Sequence, residues 1–131
     1  MKRNINTSKI LIIEDDIFVA ELLLRRLGKN GLDCISVADA EIALNRIEKE
    51  KPDLILLDIM LPGMDGYKFL QIVKANKKTT DIPVIILSNL GDKTEIAKGL
   101  KLGAEDFLVK ANLNLGDVIQ KIKKTLGEIK N

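Results

Sequence analysis

The chain has 131 residues, of which 21 are Lys or Arg and 19 are Asp or Glu, so its formal charge is +2. This length fits one compact domain, and the near-neutral charge argues against a dedicated nucleic-acid binder. The sequence contains no histidine, which excludes Ser-His and Cys-His catalytic pairs and every histidine metal site.

The compartment is predicted from the cysteine count and from the lengths of the apolar runs. A single cysteine cannot form an internal disulfide, which is typical of proteins in a reducing compartment. The apolar run at residues 10–13 is too short for a signal peptide, and no stretch reaches the ~18 apolar residues of a membrane span. We therefore expect a soluble cytoplasmic domain without membrane insertion.

The chain begins with a strand pattern and a helix pattern. Residues 1–8 are polar and are predicted to form a flexible segment. Residues 10–13 are apolar throughout, as in a strand that is buried on both faces. Asp16 is the predicted N-cap of the helix that follows. The apolar face of this helix is predicted to consist of Phe18, Val19, Leu22, Leu23 and Leu27.

The middle of the chain repeats this alternation. Residues 34–37 are a weaker strand candidate, and a helix is predicted over residues 40–49. Residues 54–57 and 84–87 are again apolar throughout, which predicts two more buried strands. A third helix is expected between them, directly after Asp65.

The last part of the chain predicts two helices and one strand. Asp92 and Glu95 have the spacing of a capping box, in which each side chain accepts a hydrogen bond from the backbone of the other residue, so a fourth helix is expected there. Residues 107–109 are a fifth strand candidate. The apolar stripe of the final helix is predicted to consist of Leu115, Val118, Ile119, Ile122, Leu126 and Ile129.

Five strands that alternate with five helices predict an α/β fold with one parallel sheet between helices. Parallel neighbours need a crossover connection, and the helices supply it. We expect one domain over residues 9–129, with residues 130–131 as a C-terminal end. In such sheets, ligands bind beyond the carboxyl ends of the strands, where the winding reverses.

Polar side chains follow four of the predicted strands. The first strand ends in Glu14 and Asp15, and the third ends in Asp58. The fourth strand ends in Ser88 and the fifth ends in Lys110. If the first and third strands are neighbours, the carboxylates converge at one edge and stay ionised only with a positive charge among them. Magnesium is the natural ion for such oxygen ligands.

These groups suit phosphoryl transfer onto a carboxylate. Asp58 is the predicted nucleophile, which would form an aspartyl phosphate. Magnesium and Lys110 would neutralise oxygens of the transferring group, and Ser88 would donate a hydrogen bond to one of them.

The sequence resembles the receiver domains of bacterial two-component response regulators over residues 9–129. Four segments carry the resemblance through their order and spacing: ILIIEDD (10–16), LILLDIMLPGMDG (54–66), VIILSN (84–89) and FLVK (107–110). The resemblance implies a flavodoxin-like doubly wound sheet with strand order 2-1-3-4-5 and five helices on its two faces. It also implies a signalling phosphoacceptor that takes part in its own phosphorylation and dephosphorylation, and not a conventional enzyme.

The resemblance implies specific roles for the acidic residues. Glu14 and Asp15 match the acidic pair of the magnesium site, which Asp58 and the backbone carbonyl of Met60 would complete. Asp58 matches the residue that accepts the phosphoryl group.

The resemblance further implies the remaining site residues and the partners. Ser88 and Lys110 match the catalytic hydroxyl and lysine positions, and Ser88 and Phe107 match the switch positions. The implied donor is a sensor histidine kinase or a histidine phosphotransfer protein. The implied output face comprises the fourth helix, fifth strand and fifth helix, and it binds a downstream protein without direct nucleic-acid contact.

Two residues depart from the family pattern. The family usually has Lys-Pro at the lysine position, often with a cis bond, whereas this chain has Lys110-Ala111. A cis bond before alanine would cost about 3–4 kcal/mol, so we predict a trans bond and an altered loop. Asn89 occupies a position where the family commonly has a small residue.

Other functions fit the sequence less well. A flavin-binding protein of similar fold needs glycine or hydroxyl residues after the first strand, where this chain has three acids that would repel phosphate. A phosphatase of the haloacid dehalogenase type needs a DxDxT pattern, and the acid two residues after Asp58 is missing. The serious alternative is a pseudo-receiver that serves only as an interaction module.

The route of the output signal is left open by the sequence. The length fits one receiver and no effector domain, so we expect output through contact with a partner protein. The chain could serve as a phosphorelay intermediate, as a regulator of a motor or enzyme, or as a piece of a longer regulator.

Overall fold

The computed structural model describes the backbone of residues 8–130 and the side chains of residues 8–111 and 113–127. Within this range, strands and helices alternate as predicted: β1 (Lys9–Ile13), α1 (Ile17–Lys29), β2 (Asp33–Val37), α2 (Ala40–Glu50), β3 (Leu54–Leu57), α3 (Gly66–Ala75), β4 (Val84–Ser88), α4 (Lys93–Lys101), β5 (Asp106–Val109) and α5 (Leu115–Lys130). The strands form one parallel sheet in the order β2-β1-β3-β4-β5. The predicted fold class and strand order are confirmed.

The central strands are buried on both faces, as their continuous apolar runs predict. The apolar residues of β1, β3 and β4 are each no more than 2% exposed. Ile12 and Leu56 point into the core that α1 and α5 cover, whereas Ile13 and Leu57 point into the core that α2 and α3 cover. Because successive side chains of a strand point to opposite faces, one apolar run supplies both cores.

Aspartate side chains cap helices that begin near the carboxyl ends of the strands. Asp16 accepts hydrogen bonds from the backbone N–H groups of Phe18 and Val19, which confirms the predicted cap. Asp92 accepts a bond from the Glu95 N–H. The predicted capping box is only half formed, because the Glu95 carboxylate accepts a hydrogen bond from the Tyr67 hydroxyl.

The apolar face of α1 differs from the prediction. The buried residues of this helix are Ala20, Leu23 and Leu27, whereas Phe18 is 84% and Leu22 44% exposed. One face of a helix that lies on a sheet covers only a narrow arc. Phe18 and Leu22 therefore fall outside the stripe that contacts the strands, although their spacing is helical.

The ends of the chain are only partly described. Ser8, which is predicted in the flexible segment, is buried, and its carbonyl accepts a hydrogen bond from the Asp33 N–H at 3.0 Å. The remaining predicted flexible residues 1–7, the Ile129 side chain and Asn131 lie outside the described residues. Among the helices within residues 8–130, none has both the length and the apolar character that crossing a membrane requires.

Gly66 allows the loop after β3 to lie directly against the first turn of α3. A Cβ at position 66 would lie 2.6 Å from the Asp58 carbonyl oxygen and 2.6 Å from Ile59 Cα. Both atoms belong to the backbone, so they cannot move aside as a flexible side chain can. By contrast, a Cβ at Gly28 of α1 would meet nothing within 4 Å.

We expect Gly66→Ala to lower the free energy of unfolding by about 1–3 kcal/mol, because it forces backbone atoms apart. The matched variant Gly28→Ala adds the same methyl group to open space in a helix and should raise stability by up to ~1 kcal/mol. Urea unfolding followed by circular dichroism measures both. Equal effects of the two substitutions would contradict the assigned contact at Gly66.

Candidate functional site

Strand pairing brings the predicted acidic residues together. Ile13 of β1 lies opposite Leu57 of β3 in the sheet. The next residues, Glu14 and Asp58, therefore leave the sheet side by side, and the Asp58 N–H donates to the Ile13 carbonyl at 3.0 Å. Carboxylate oxygens of Glu14, Asp15 and Asp58 all lie within 4.8 Å of one another.

The other two predicted site residues arrive from the neighbouring strands. Ser88 at the end of β4 lies opposite Val109 of β5, so Lys110 follows at the same edge of the sheet. Lys110 Nζ lies 3.0 Å from Asp58 Oδ2 and 2.5 Å from Glu14 Oε1. The five predicted polar side chains thus come from four different strand ends and meet at one edge.

Lys110 occupies this position without the proline that usually follows it. No peptide bond of the described residues is cis, so the predicted trans bond before Ala111 is confirmed. A short 3-10 turn at Lys110–Asn112 connects β5 to α5. The Lys110 side chain is long enough to reach both carboxylates from this turn.

Burial and neighbouring charges shift the pKa values of Glu14 and Lys110. Burial raises the pKa of the Glu14 carboxyl to about 7, and the hydrogen bonds from Lys110 and the Asp16 N–H offset only part of this effect. Burial of the Lys110 ammonium lowers its pKa, but the bonds to Glu14 and Asp58 outweigh burial and raise it above its ordinary value. Lys110 therefore stays charged.

The donor set fits a hard divalent cation. Glu14 and Asp58 are buried, and Asp15 is exposed at the mouth of the cluster. One lysine faces three carboxyl groups, so the cluster keeps a negative excess when these are ionised. Oxygen donors with such an excess are the ligands that magnesium prefers.

Backbone groups orient the predicted nucleophile and the hydroxyl. Asp58 Oδ1 accepts a hydrogen bond from the Met60 N–H at 3.1 Å, while Oδ2 faces Lys110. Ser88 is fully buried, and its Oγ accepts a bond from the Leu90 N–H at 3.3 Å. The contact of Met60 with Asp58 is thus through its N–H, and metal ligation by its carbonyl stays a prediction.

Phe107 lies below α4. It is 7% exposed, and a Cβ at Gly99 of α4 would lie 3.1 Å from its ring. The side chain therefore packs in the core in this conformation, and its switching role stays a prediction. Asn89, the second departure from the family pattern, is exposed.

The contact of Tyr67 with Glu95 could not be predicted from the sequence. Tyr67 is the second residue of α3, and its hydroxyl donates a hydrogen bond to Glu95 of α4, 28 residues away. Helical spacing relates residues three or four apart and says nothing of a contact between two helices. Only the packing of α3 beside α4 reveals this pair.

Removal of Lys110 should destabilise the fold. We expect Lys110→Met to lower the free energy of unfolding by about 3 kcal/mol in metal-free neutral buffer, because two buried carboxylates lose their partner. Asp58→Asn in the Lys110→Met background should recover part of this loss, since it removes one of the repelling charges. Urea unfolding of the single and double variants measures both effects.

A matched lysine on the surface provides the control. Lys121 pairs with Asp106 at 2.9 Å, but both side chains are partly exposed. We expect Lys121→Met to cost less than ~1 kcal/mol. Equal losses in the free energy of unfolding for the two lysine variants would show that the Lys110 contacts stabilise the fold no more than an exposed ion pair does.

Comparison with known proteins agrees with this geometry. The family model of the response regulator receiver domain matches residues 10–123. The chain is 42% identical over 106 residues to ycf27 of Cyanophora paradoxa, named a probable transcriptional regulator, covering 81% of this chain and 43% of that protein. It is 34% identical to the phosphate regulon transcriptional regulatory protein PhoB of Escherichia coli, over 92% of this chain and 52% of PhoB. The chain thus spans about half or less of these relatives.

A solved structure is similar over nearly its whole length. The BeF3-activated N-terminal receiver domain of Klebsiella pneumoniae RstA superposes with a TM-score of 0.84 at 31% identity, covering 90% of this chain and 97% of that one. Residues 10–123, which the family model matches, contain every strand end described above. The chain belongs to the receiver-domain family of two-component response regulators.

Proposed function

We propose that this chain accepts a phosphoryl group on Asp58 and that the modified aspartate switches a protein-binding face. The observation that supports this most is the position of Lys110, whose ammonium lies between Asp58 and Glu14. A carboxylate nucleophile, a fixed cation and a group of metal-binding oxygens then share one edge of the sheet. Phosphoryl transfer depends on positioning and charge neutralisation, and these groups supply both.

The carboxylate of Asp58 is held for attack. Its Oδ1 accepts the Met60 N–H and its Oδ2 faces Lys110, so its rotation is restricted. Attack of one carboxylate oxygen on a phosphohistidine forms an O–P bond, breaks the N–P bond and leaves the imidazole as the leaving group. Lys110 would stabilise the oxygens of the transferring group, and Ser88 would donate a hydrogen bond to one of them once its hydroxyl turns toward Asp58.

A metal ion fits the same edge. Asp15, Asp58 and the Met60 carbonyl would hold magnesium, with Glu14 acting mostly through water, and the ion would neutralise phosphoryl oxygens when bound. The negative excess of the acidic cluster supports this assignment.

The donor is a sensor histidine kinase or a histidine phosphotransfer protein. These 131 residues contain no histidine, so the donor imidazole comes from outside them. A downstream protein would bind to the face formed by α4, β5 and α5. A phosphoryl group on Asp58 would draw Ser88 toward it and let Phe107 shift, which favours one of two pre-existing conformations.

Labelling with a small phosphoryl donor tests the acceptor residue. Incubation with acetyl phosphate and magnesium should add one phosphoryl group to the wild-type chain and none to Asp58→Asn, as measured by intact mass. Asp65→Asn is the matched control, because Asp65 is an exposed acid that caps α3 seven residues away. We expect this variant to be labelled like the wild type.

Two outcomes would contradict the proposal. An unlabelled wild-type chain would support the pseudo-receiver alternative, in which the domain serves only for interactions. Equal labelling of wild type and Asp58→Asn would place the phosphoryl group on another residue.

Magnesium-dependent stability tests the metal site. Magnesium at ten times its dissociation constant should raise the free energy of unfolding of the wild type by about 1.4 kcal/mol. We expect Asp15→Asn to lose most of this gain, because it removes a charged ligand. Urea unfolding with and without magnesium measures the difference.

Asp16→Asn is the matched control for this experiment. Asp16 caps α1, and asparagine caps a helix about as well as aspartate. This variant should keep the magnesium-dependent gain. An equal loss in both variants would indicate general charge attraction and would argue against a specific site.

A further inference from the structure

Helix α4 has little buried surface to hold it in place. Gly99 is its one buried residue, whereas α3 has five. Ile96 adds a half-buried side chain on the core. Elements with few buried apolar contacts open or shift at low free-energy cost. The position of α4 therefore depends strongly on its polar contacts.

Tyr67 of α3 makes the first of these contacts. Its side chain is 7% exposed, and its hydroxyl oxygen lies 2.5 Å from Glu95 Oε2 and 2.9 Å from the Glu95 carbonyl oxygen. A phenol has one hydrogen to donate, and the charged carboxylate is the stronger acceptor. Burial, together with Glu95, raises the pKa of Tyr67, so the phenol remains a donor.

Lys98 makes the second contact. Its ammonium lies 4.3 Å from the centroid of the Tyr67 ring, within the range of a cation–π interaction. Glu95 and Lys98 are three residues apart, so they lie on one face of α4. Tyr67 thus holds the helix through two side chains of that face.

These contacts lie beside the segments that follow Asp58 and Ser88. Tyr67, Glu95 and Lys98 line a groove of about 460 Å³ together with Met60 and Leu90. Ser88 Oγ now bonds the Leu90 N–H, and α4 begins three residues after Leu90. A movement of Ser88 toward Asp58 would pull this short connection and the first turn of α4 with it.

We propose that Tyr67, Glu95 and Lys98 form a latch that holds α4 in its resting position and sets the threshold for switching by a phosphoryl group on Asp58. The inference rests on the proposed function, since that function supplies the signal that must overcome the latch. The hydrogen bond and the cation–π contact stabilise the resting conformation, and their loss shifts the population toward the activated one.

Tyr67→Phe is the direct test, because it removes the hydroxyl and keeps the ring. The probe is beryllofluoride with magnesium, which imitates a phosphoryl group on aspartate. We expect Tyr67→Phe to reach half-saturation at an about tenfold lower beryllofluoride concentration, as expected for loss of one hydrogen bond to a charged group. Backbone amide NMR of the full chain should show α4 signals without beryllofluoride displaced toward their saturated positions.

Two further variants separate the latch from general effects. Glu95→Gln should act in the same direction as Tyr67→Phe but less strongly, because its amide oxygen still accepts the phenol hydrogen and only the charge is lost. The double variant should not exceed Tyr67→Phe by much, because the donor of this bond is already absent there. Thr94→Val also removes one hydroxyl, but from an exposed position of the same helix. This control should titrate like the wild type.

The outcomes distinguish failure of the latch from failure of the proposed function. An unchanged or higher half-saturation concentration in Tyr67→Phe overturns the latch. A wild-type chain that does not bind beryllofluoride overturns the proposed function. In that case, hydrogen exchange tests whether Tyr67 holds α4: α4 amides should exchange about tenfold faster in Tyr67→Phe with β4 unchanged, and equal exchange overturns the latch.

Discussion

The contact of Lys110 with two buried carboxylates is the interaction on which the site depends. Glu14 and Asp58 leave neighbouring strands side by side, where their charges repel each other. Lys110 reaches both from β5, on the far side of β4. The order of the parallel strands therefore brings residues 14, 58 and 110, which are far apart in the chain, within contact distance. The end of β1 also carries the exposed Asp15 to that edge, and the end of β4 carries the buried Ser88.

The sheet is stabilised mainly by buried apolar side chains, whereas α4 buries little of its surface. The central strands are enclosed by apolar side chains on both faces, so they hold the strand ends rigidly. Helix α4 has one buried residue and depends on polar contacts with Tyr67. Under the proposed function, a phosphoryl group on Asp58 would move this weakly packed helix without disturbing the core of the sheet.

Much of the fold and of the site could be predicted because local patterns carry it. Continuous apolar runs predict strands that are buried on both faces, and aspartates at helix starts predict caps. Phe18 and Leu22 fit the helical period, but they are exposed, because period alone cannot say how wide a stripe the sheet covers. Glu95 has capping-box spacing but bonds Tyr67, since a charged acceptor takes whichever donor the packing brings nearest.

Local sequence patterns were enough to predict the alternation of strands and helices, the buried strands and the kinds of side chain at the strand ends. These properties depend on residues that are near one another in the chain. The packing of the whole chain was needed to show that Lys110 contacts both Glu14 and Asp58, that a trans bond before Ala111 permits this reach, and that Tyr67 donates a hydrogen bond to Glu95 of α4. Contacts between distant residues follow from how elements pack, and no short-range pattern encodes a packing distance.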